Sequence, residues 1–318
     1  MKKKVSAILQ VVVLVIAVGA FMCFGGMGAA SADNNRCGEN LTWTLDASGT
    51  LTISGSGEME DYSAGDSAPW YQYTNGITAA VIDSGVTSIG DFAFLNCDGL
   101  TNITIPESVT RIGNFAFYKC GSMTNIVIPE GVTKIGEATF YACRAMESVT
   151  IPESVTNIGV TAFYGCSALE SVTIPENVTS IGEYAFAQCS ALENVTIPDA
   201  VTSIGSYAFS GCGCLTSAVI PDGVTSIAEG VFNGCGVLTS VTIPDSVTAI
   251  GDFAFYECVS LESVTIPAGV TEIGKSAFIS CDKLSDIYYA GSEAQWNAIT
   301  IGANNELLTG ANIHFNAA

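Results

Sequence analysis

Leu169-Glu170-Ser171-Val172-Thr173-Ile174-Pro175-Glu176-Asn177-Val178-Thr179-Ser180-Ile181-Gly182-Glu183-Tyr184-Ala185-Phe186-Ala187-Gln188-Cys189-Ser190-Ala191 is the stretch that decides the architecture. Val172 and Ile174 alternate with Thr173, the period of a short strand with one buried face. Pro175 lacks an N–H and ends the ladder there. Val178 and Ile181 lie in a second extended stretch, which Gly182 closes. Ala185, Cys189 and Leu192, with Phe186 beside the first, fall at offsets that predict one helical or 3-10 turn.

The same pattern extends in both directions. Cys97, Cys120, Cys143, Cys166, Cys189, Cys212, Cys235, Cys258 and Cys281 follow one another at 23 residues without a slip. The nine Phe from Phe94 to Phe278 and the eight Pro from Pro106 to Pro267 keep that period. Nine units of 23 fill residues 80–286. A unit this short cannot enclose a core alone, whereas stacked units set Val on Val, Ile on Ile and Phe on Phe. One continuous core results.

Cys-x-x-Leu-x-x-Val-x-Ile-Pro followed by Ile-Gly-x-x-Ala-Phe resembles the bacterial BspA-like leucine-rich repeats, a 23-residue class of extracellular proteins. Departures are few: Ala228 replaces the Gly, Thr139 and Val231 replace the Ala, and Met123 and Met146 replace the Leu. Ala218 weakens one strand, and Asp83 stands where the first unit would have Pro. The resemblance implies an α/β repeat, a right-handed leucine-rich-repeat solenoid. Short parallel strands would line one face and short helical or 3-10 turns the other, with a cap at each end.

Outside the repeats, residues 33–79 read as an N-terminal β-hairpin cap, with Leu41–Leu45 and Leu51–Ile53 alternating about the turn at Asp46-Ala47-Ser48-Gly49. Residues 287–318 read as a C-terminal cap, with Ser292 as the N-cap of a short helix and a last strand at Asn312–Phe315. Residues 1–32 read as a signal peptide: Lys2, Lys3 and Lys4, an apolar run, then Ala30-Ser31-Ala32 as a cleavage site. An uncleaved membrane anchor is the competing reading, since ~20 apolar residues span a bilayer. Either way the protein is exported, to the cell surface or beyond.

Charge removes whole classes of function. Acidic residues outnumber basic ones 31 to 10, and the formal charge is -21. Such a surface repels phosphate backbones and anionic lipid heads, so nucleic acid is excluded and a membrane is met only through an uncleaved leader. His314 is the one histidine, far along the chain in the terminal strand, so a Ser-His-Asp arrangement has little to draw on. No irregular insertion breaks the rhythm to build a pocket. No catalytic residue, cofactor site or metal site is expected. The 12 Cys look at first like a disulfide framework. Nine of them share one position, about 4.7–4.9 Å apart in a stack, with side chains parallel and unsuited to disulfides. They are expected as small buried core residues.

Two columns are candidate binding surfaces. Glu107, Glu130, Glu153, Glu176, Asp199, Asp222 and Asp245 follow the Pro of successive units and should attract basic partners, or simply form a solvated turn. Calcium would want more oxygens than such a row offers. Tyr118, Tyr141 and Tyr164 either stack sugar rings and anchor partners or pack between adjacent turns. Two Thr columns, one from Thr110 to Thr271 and one at Thr104, Thr150, Thr173, Thr196, Thr242 and Thr265, suit an exposed strand surface. The resemblance implies a module binding an extracellular protein or glycan, in adhesion or host and neighbour-cell interaction. A structural spacer of the cell envelope is the alternative, and a carbohydrate-active or peptidase enzyme a remote third.

Overall fold

The computed structural model describes residues 35–317. The expected leader over 1–32 lies outside the described residues, as do residues 33 and 34 of the N-terminal cap. Each coil carries two strands. Ser171–Thr173 runs parallel to Asn194–Thr196 with Val172 opposite Val195. Ser180–Ile181 lies between Asn157–Ile158 and Ser203–Ile204 with its Ile aligned to theirs. Paired residues are one repeat apart, so one period of sequence is one turn of a solenoid.

Alternation sets what each strand buries. In Ser171–Thr173 only the central Val172 is inside, and Ser171 and Thr173 face out. The same holds in Asn194–Thr196 and Ser240–Thr242. Behind the strands, Phe94 through Phe278 form one ladder of nine rings, neighbouring centroids 5.1–5.9 Å apart. All nine are fully buried. At about 1.5–3 kcal/mol for each large apolar side chain removed from water, these repeated columns dominate the stability.

The side opposite the strands is built of turns, as Ala185, Cys189 and Leu192 predict, but they do not run on as a continuous helical or 3-10 turn. Tyr184 and Gln188 have φ of 55° and 62°, in the left-handed region, and their equivalents do so in coil after coil. The N–H groups of Ala185, Ala187 and Cys189 bond three residues back, to Gly182, Tyr184 and Phe186. Those of Tyr184, Phe186 and Gln188 instead reach the next coil, donating to Ser206, Ala208 and Ser210 at 2.7–2.9 Å. A helix would keep every N–H within its own coil. Left-handed residues four apart break the helix and every second N–H crosses to the next coil, and the resulting ladder offsets a strain of about 1–2 kcal/mol per left-handed residue.

Such a ladder leaves carbonyls bare at the first coil and N–H groups bare at the last, and the ends are built to meet them. At the N-terminal end, strands β1 (Arg36–Gly38), β2 (Leu41–Leu45) and β3 (Thr50–Gly55) run antiparallel in sequence, and β3 then pairs in parallel with Ala79–Ile82. A 3-10 segment, Tyr71–Gly76, follows Trp70. Trp70 Nε1 donates to the Ala93 carbonyl at 2.8 Å, and the Tyr62 N–H donates to that of Asp91 at 2.9 Å. At the other end Asn305 Oδ1 accepts from the Phe278 N–H at 3.1 Å, while its Nδ2 donates to Gly274 and Gly302 carbonyls. Ser292 caps the helical turn Glu293–Trp296, and Asn312–Phe315 adds the last strand beside Asp286–Tyr289. Among the described residues no helix is long and apolar enough to cross a membrane.

Candidate binding surfaces

The tyrosine column sits on the turn side, and its rings face one another. Tyr118 and Tyr141 stack at 4.6 Å, Tyr141 and Tyr164 at 4.8 Å. Tyr118 is buried at 1% exposure, enclosed by Leu95, Phe115 and Ala138. The row is longer than the three tyrosines suggest, because it changes column. Where Tyr141 and Tyr164 stand, the residues three before them are the small Ala138 and Thr161. One coil later the large residues are Tyr184 and Tyr207, stacked at 5.0 Å, and the small ones Ala187 and Ser210. Phe92 and Phe115 extend the layer toward the N-terminus at 4.6 Å. A sugar needs a free ring face. Tyr118 is buried, which removes it from the candidate surface, Tyr141 lies between two rings, and Tyr164 is stacked on one face, so the packing alternative describes the column.

The cysteine column is also on this side, and eight of its nine thiols have a partner. Cys166 Sγ donates to the Phe140 carbonyl at 3.2 Å, and seven other thiols make the equivalent bond across one coil at 3.1–3.3 Å. The described cysteines are free, and all of them but Cys214 are buried. Burial pushes the thiols of Cys97, Cys166, Cys212 and Cys281 up to about 12. Small size and weak donor strength suit a slot with one carbonyl to satisfy.

The acidic column lies elsewhere and is open. Glu107, Glu130, Glu153, Glu176, Asp199, Asp222 and Asp245 are all exposed. Among the described residues the ion pairs are those of Arg111 with Asp61 and Asp91 and of His314 with Asp286, so none of the seven is paired. A second acidic row, absent from the sequence reading, stands on the other side of the strands: Glu147, Glu170, Glu193 and Glu262 precede them in their coils. Between the rows lies a strip without charge. Its two columns are Asn102, Asn125, Ser148, Ser171, Asn194, Ser217, Ser240 and Ser263, and Thr104, Val127, Thr150, Thr173, Thr196, Val219, Thr242 and Thr265. Val127 is 64% exposed and Val219 59%.

The two threonine columns differ in how their hydroxyls are used. Thr179 Oγ1 donates to the Thr156 carbonyl at 3.2 Å, and Thr110, Thr156, Thr202, Thr248 and Thr271 do the same one coil back. Among the described residues the strip threonines make no such bond, and Asn125 is the one strip side chain that bonds another, Thr124. At the far end of the strip Tyr288 stacks on His314 at 4.8 Å. His314 Nε2 and Ser285 Oγ both contact Asp286, at 2.8 and 2.7 Å. With Asp in the middle, the histidine is not placed to take the serine proton, unlike a nucleophilic triad. Hydrogen bonds from His314 and then Ser285 hold the half-buried Asp286 carboxyl below its ordinary range.

Parallel coils of one period, with a thiol and a Phe at fixed places in each, match the BspA type Leucine rich repeat region over residues 67–193 and 179–300, in six copies. The chain belongs to the BspA-type leucine-rich repeat family. A leucine-rich repeat protein from Bacteroides ovatus is 31% identical, with a TM-score of 0.70 over 89% of this chain and 72% of that one. A leucine rich cell surface protein from Faecalibacterium prausnitzii is 28% identical over 87% of this chain and 98% of that one, at a TM-score of 0.39. A leucine-rich repeat protein of T. pallidum is 22% identical over 90% and 100%, at 0.47. No curated protein matches the chain. In this BspA-type protein the turn side thus spends its donors and ring faces on neighbouring coils, and the strand side keeps them free.

Proposed function

We propose that the protein is an exported module that binds a macromolecule through its strand face, at the cell surface or outside the cell. The observation that carries this reading is the uncharged strip, whose outward hydroxyls, amides and valine methyls are neither buried nor bonded across coils. At the 4.7–4.9 Å spacing of adjacent strands, eight coils give a strip about 34 Å long. That is the reach of a contact with a protein or a long glycan. Export is supported by the basic start, apolar run and Ala30-Ser31-Ala32 of the first 32 residues, and by membership of a BspA-type family.

The test is an array of matrix proteins and glycans probed with the mature chain and two triple variants. Thr150→Lys, Thr173→Lys and Thr196→Lys place bulk and charge on the strip. Val160→Lys, Gln188→Lys and Ser206→Lys make the same charge change on the turn side, in columns where Lys275 and Lys119 occur naturally. A partner held by the native chain and the second variant, and lost by the first, is the expected result. Equal retention by both variants would overturn the strand-face reading, and an array with no partner favours a spacer.

A further inference from the structure

Resting on that strand-face reading, we infer that the partner is a cationic, extended polypeptide segment. Charge distribution along the chain is the first ground. From Ala145 to Gly274 there are 14 acidic residues and no Lys, Arg or His. Every coil in this span is therefore uncompensated from within, and the nearest basic residues flank it, Arg111, Lys119, Lys134 and Arg144 before it and Lys275 and Lys283 after.

Placement of those acids is the second ground. Glu147, Glu170, Glu193 and Glu262 border the strip on one side, and Glu153, Glu176, Asp199, Asp222 and Asp245 border it on the other. Like charges one coil apart, from Glu147 to Glu193 on one rim and from Glu153 to Asp245 on the other, leave a negative potential along the strip, which carries no charge to offset it. The strip itself supplies no charge and no cavity, so a partner gains from lying flat on it and reaching outward to both rims. An extended chain of about ten residues matches its length.

The same features disfavour the other occupants. A second copy laid face to face would bring acidic rims against acidic rims, at a cost. An anionic glycan meets the same repulsion. Over the eight coils from Asn102 to Thr265 a neutral glycan finds no Phe, Tyr or Trp in either strip column to stack on, and Tyr288 stands only at the far end with one face on His314. Lysine and arginine side chains are the groups that fit both a polar uncharged floor and two carboxylate rims.

The experiment titrates the mature chain with three fluorescent ten-residue peptides, alternating Lys-Thr, Gln-Thr and Glu-Thr, at 50 and 300 mM salt. Two charge-matched variants accompany it: Glu147→Gln, Glu170→Gln, Glu193→Gln on the rim, and Glu183→Gln, Glu229→Gln, Glu257→Gln on the turn side. Binding of the Lys-Thr peptide alone is expected, weaker at high salt and at least about tenfold weaker in the rim variant than in the turn-side one. No binding at 50 mM salt, equal binding of the Gln-Thr peptide, or equal loss in the two variants would overturn the inference. A partner lost by the strip-lysine variant but indifferent to the rim variant would retire the cationic partner and leave the strand face standing.

Discussion

The two long sides of this solenoid are built from the same residue classes and use them in opposite ways. On the turn side, rings stack ring on ring, thiols donate to carbonyls one coil back, and every second N–H crosses to the next coil. On the strand side, Ser, Asn, Thr and Val point outward with their polar atoms unspent. A hydroxyl or an aromatic ring is therefore not a functional signal in itself. What matters is whether the next coil already uses it. The turn side holds the rod together, and the strand side is what the rod presents.

Alkali should separate the two sides most forcefully. The buried thiols keep their protons to about 12 or beyond in the folded chain, because burial disfavours the thiolate. An unfolded chain gives them up near 8.5, so their contribution is complete below that pH and is lost as pH rises toward 12. By pH 10 the loss is about 2 kcal/mol per thiol. Ten of the described cysteines are buried, and their combined effect exceeds the about 5–15 kcal/mol of a typical domain. Circular dichroism should show cooperative unfolding between pH 9 and about 10, and a fold intact at pH 11 would break the account of the turn side. Replacing Cys166 and Cys189 by Ala should raise that alkaline midpoint while lowering stability at pH 7.

Within the core, Phe163→Ala removes one rung of the ring ladder, between Phe140 at 5.3 Å and Phe186 at 5.2 Å. A loss of about 3–5 kcal/mol in urea denaturation is expected. The caps come next. Asn305→Ala strips the Phe278 N–H of its acceptor and two carbonyls of a donor, at about 1–3 kcal/mol. Hydrogen exchange should localise that loss to the last coil. Uniform loss of protection would mean that the ends do not limit the ladder.

Much of this organisation was readable before any coordinates. The invariant spacing of Cys, Phe and Pro makes one period one coil, and Val172 and Ile174 against Thr173 tell which strand residues go inside. The turn geometry was hidden because Ala185, Cys189 and Leu192 bury one face equally well on a helix or on alternating turns; only the Tyr184 and Gln188 backbones distinguish them. Read alone, the column of Tyr118 leaves binding and packing both open, whereas the layer is a compensation between two columns, Ala138 with Tyr141 and Tyr184 with Ala187. The thiol bonds escaped because each acceptor is 26 residues away in sequence. Asn305 escaped because it lies in a segment with no repeat to compare it with. The acidic row after the Pro was legible, but the second row and the strip between the two needed the strands to be placed.

The finest test of the comparison uses one residue type in both roles. Thr156, Thr179 and Thr202 sit in the column whose hydroxyls donate to the preceding coil, and Thr150, Thr173 and Thr196 sit in the strip. The chain already hints at the outcome, since Val occupies the strip column at Val127 and Val219, and the other column is Thr in every coil from Thr87 to Thr271. Thr→Val keeps shape and strand preference while deleting the hydroxyl. Each change in the bonded column forfeits one hydrogen bond, about 0.5–1.5 kcal/mol, so the triple variant should lose roughly 2–3 kcal/mol. Each change in the strip deletes a hydroxyl that bonds only water, and surface substitutions of that kind stay within about 0.5 kcal/mol. The urea midpoints of the two triple variants should therefore diverge, with the strip variant close to the native chain. Coincident midpoints would erase the distinction between committed and free hydroxyls on which the strand-face reading stands.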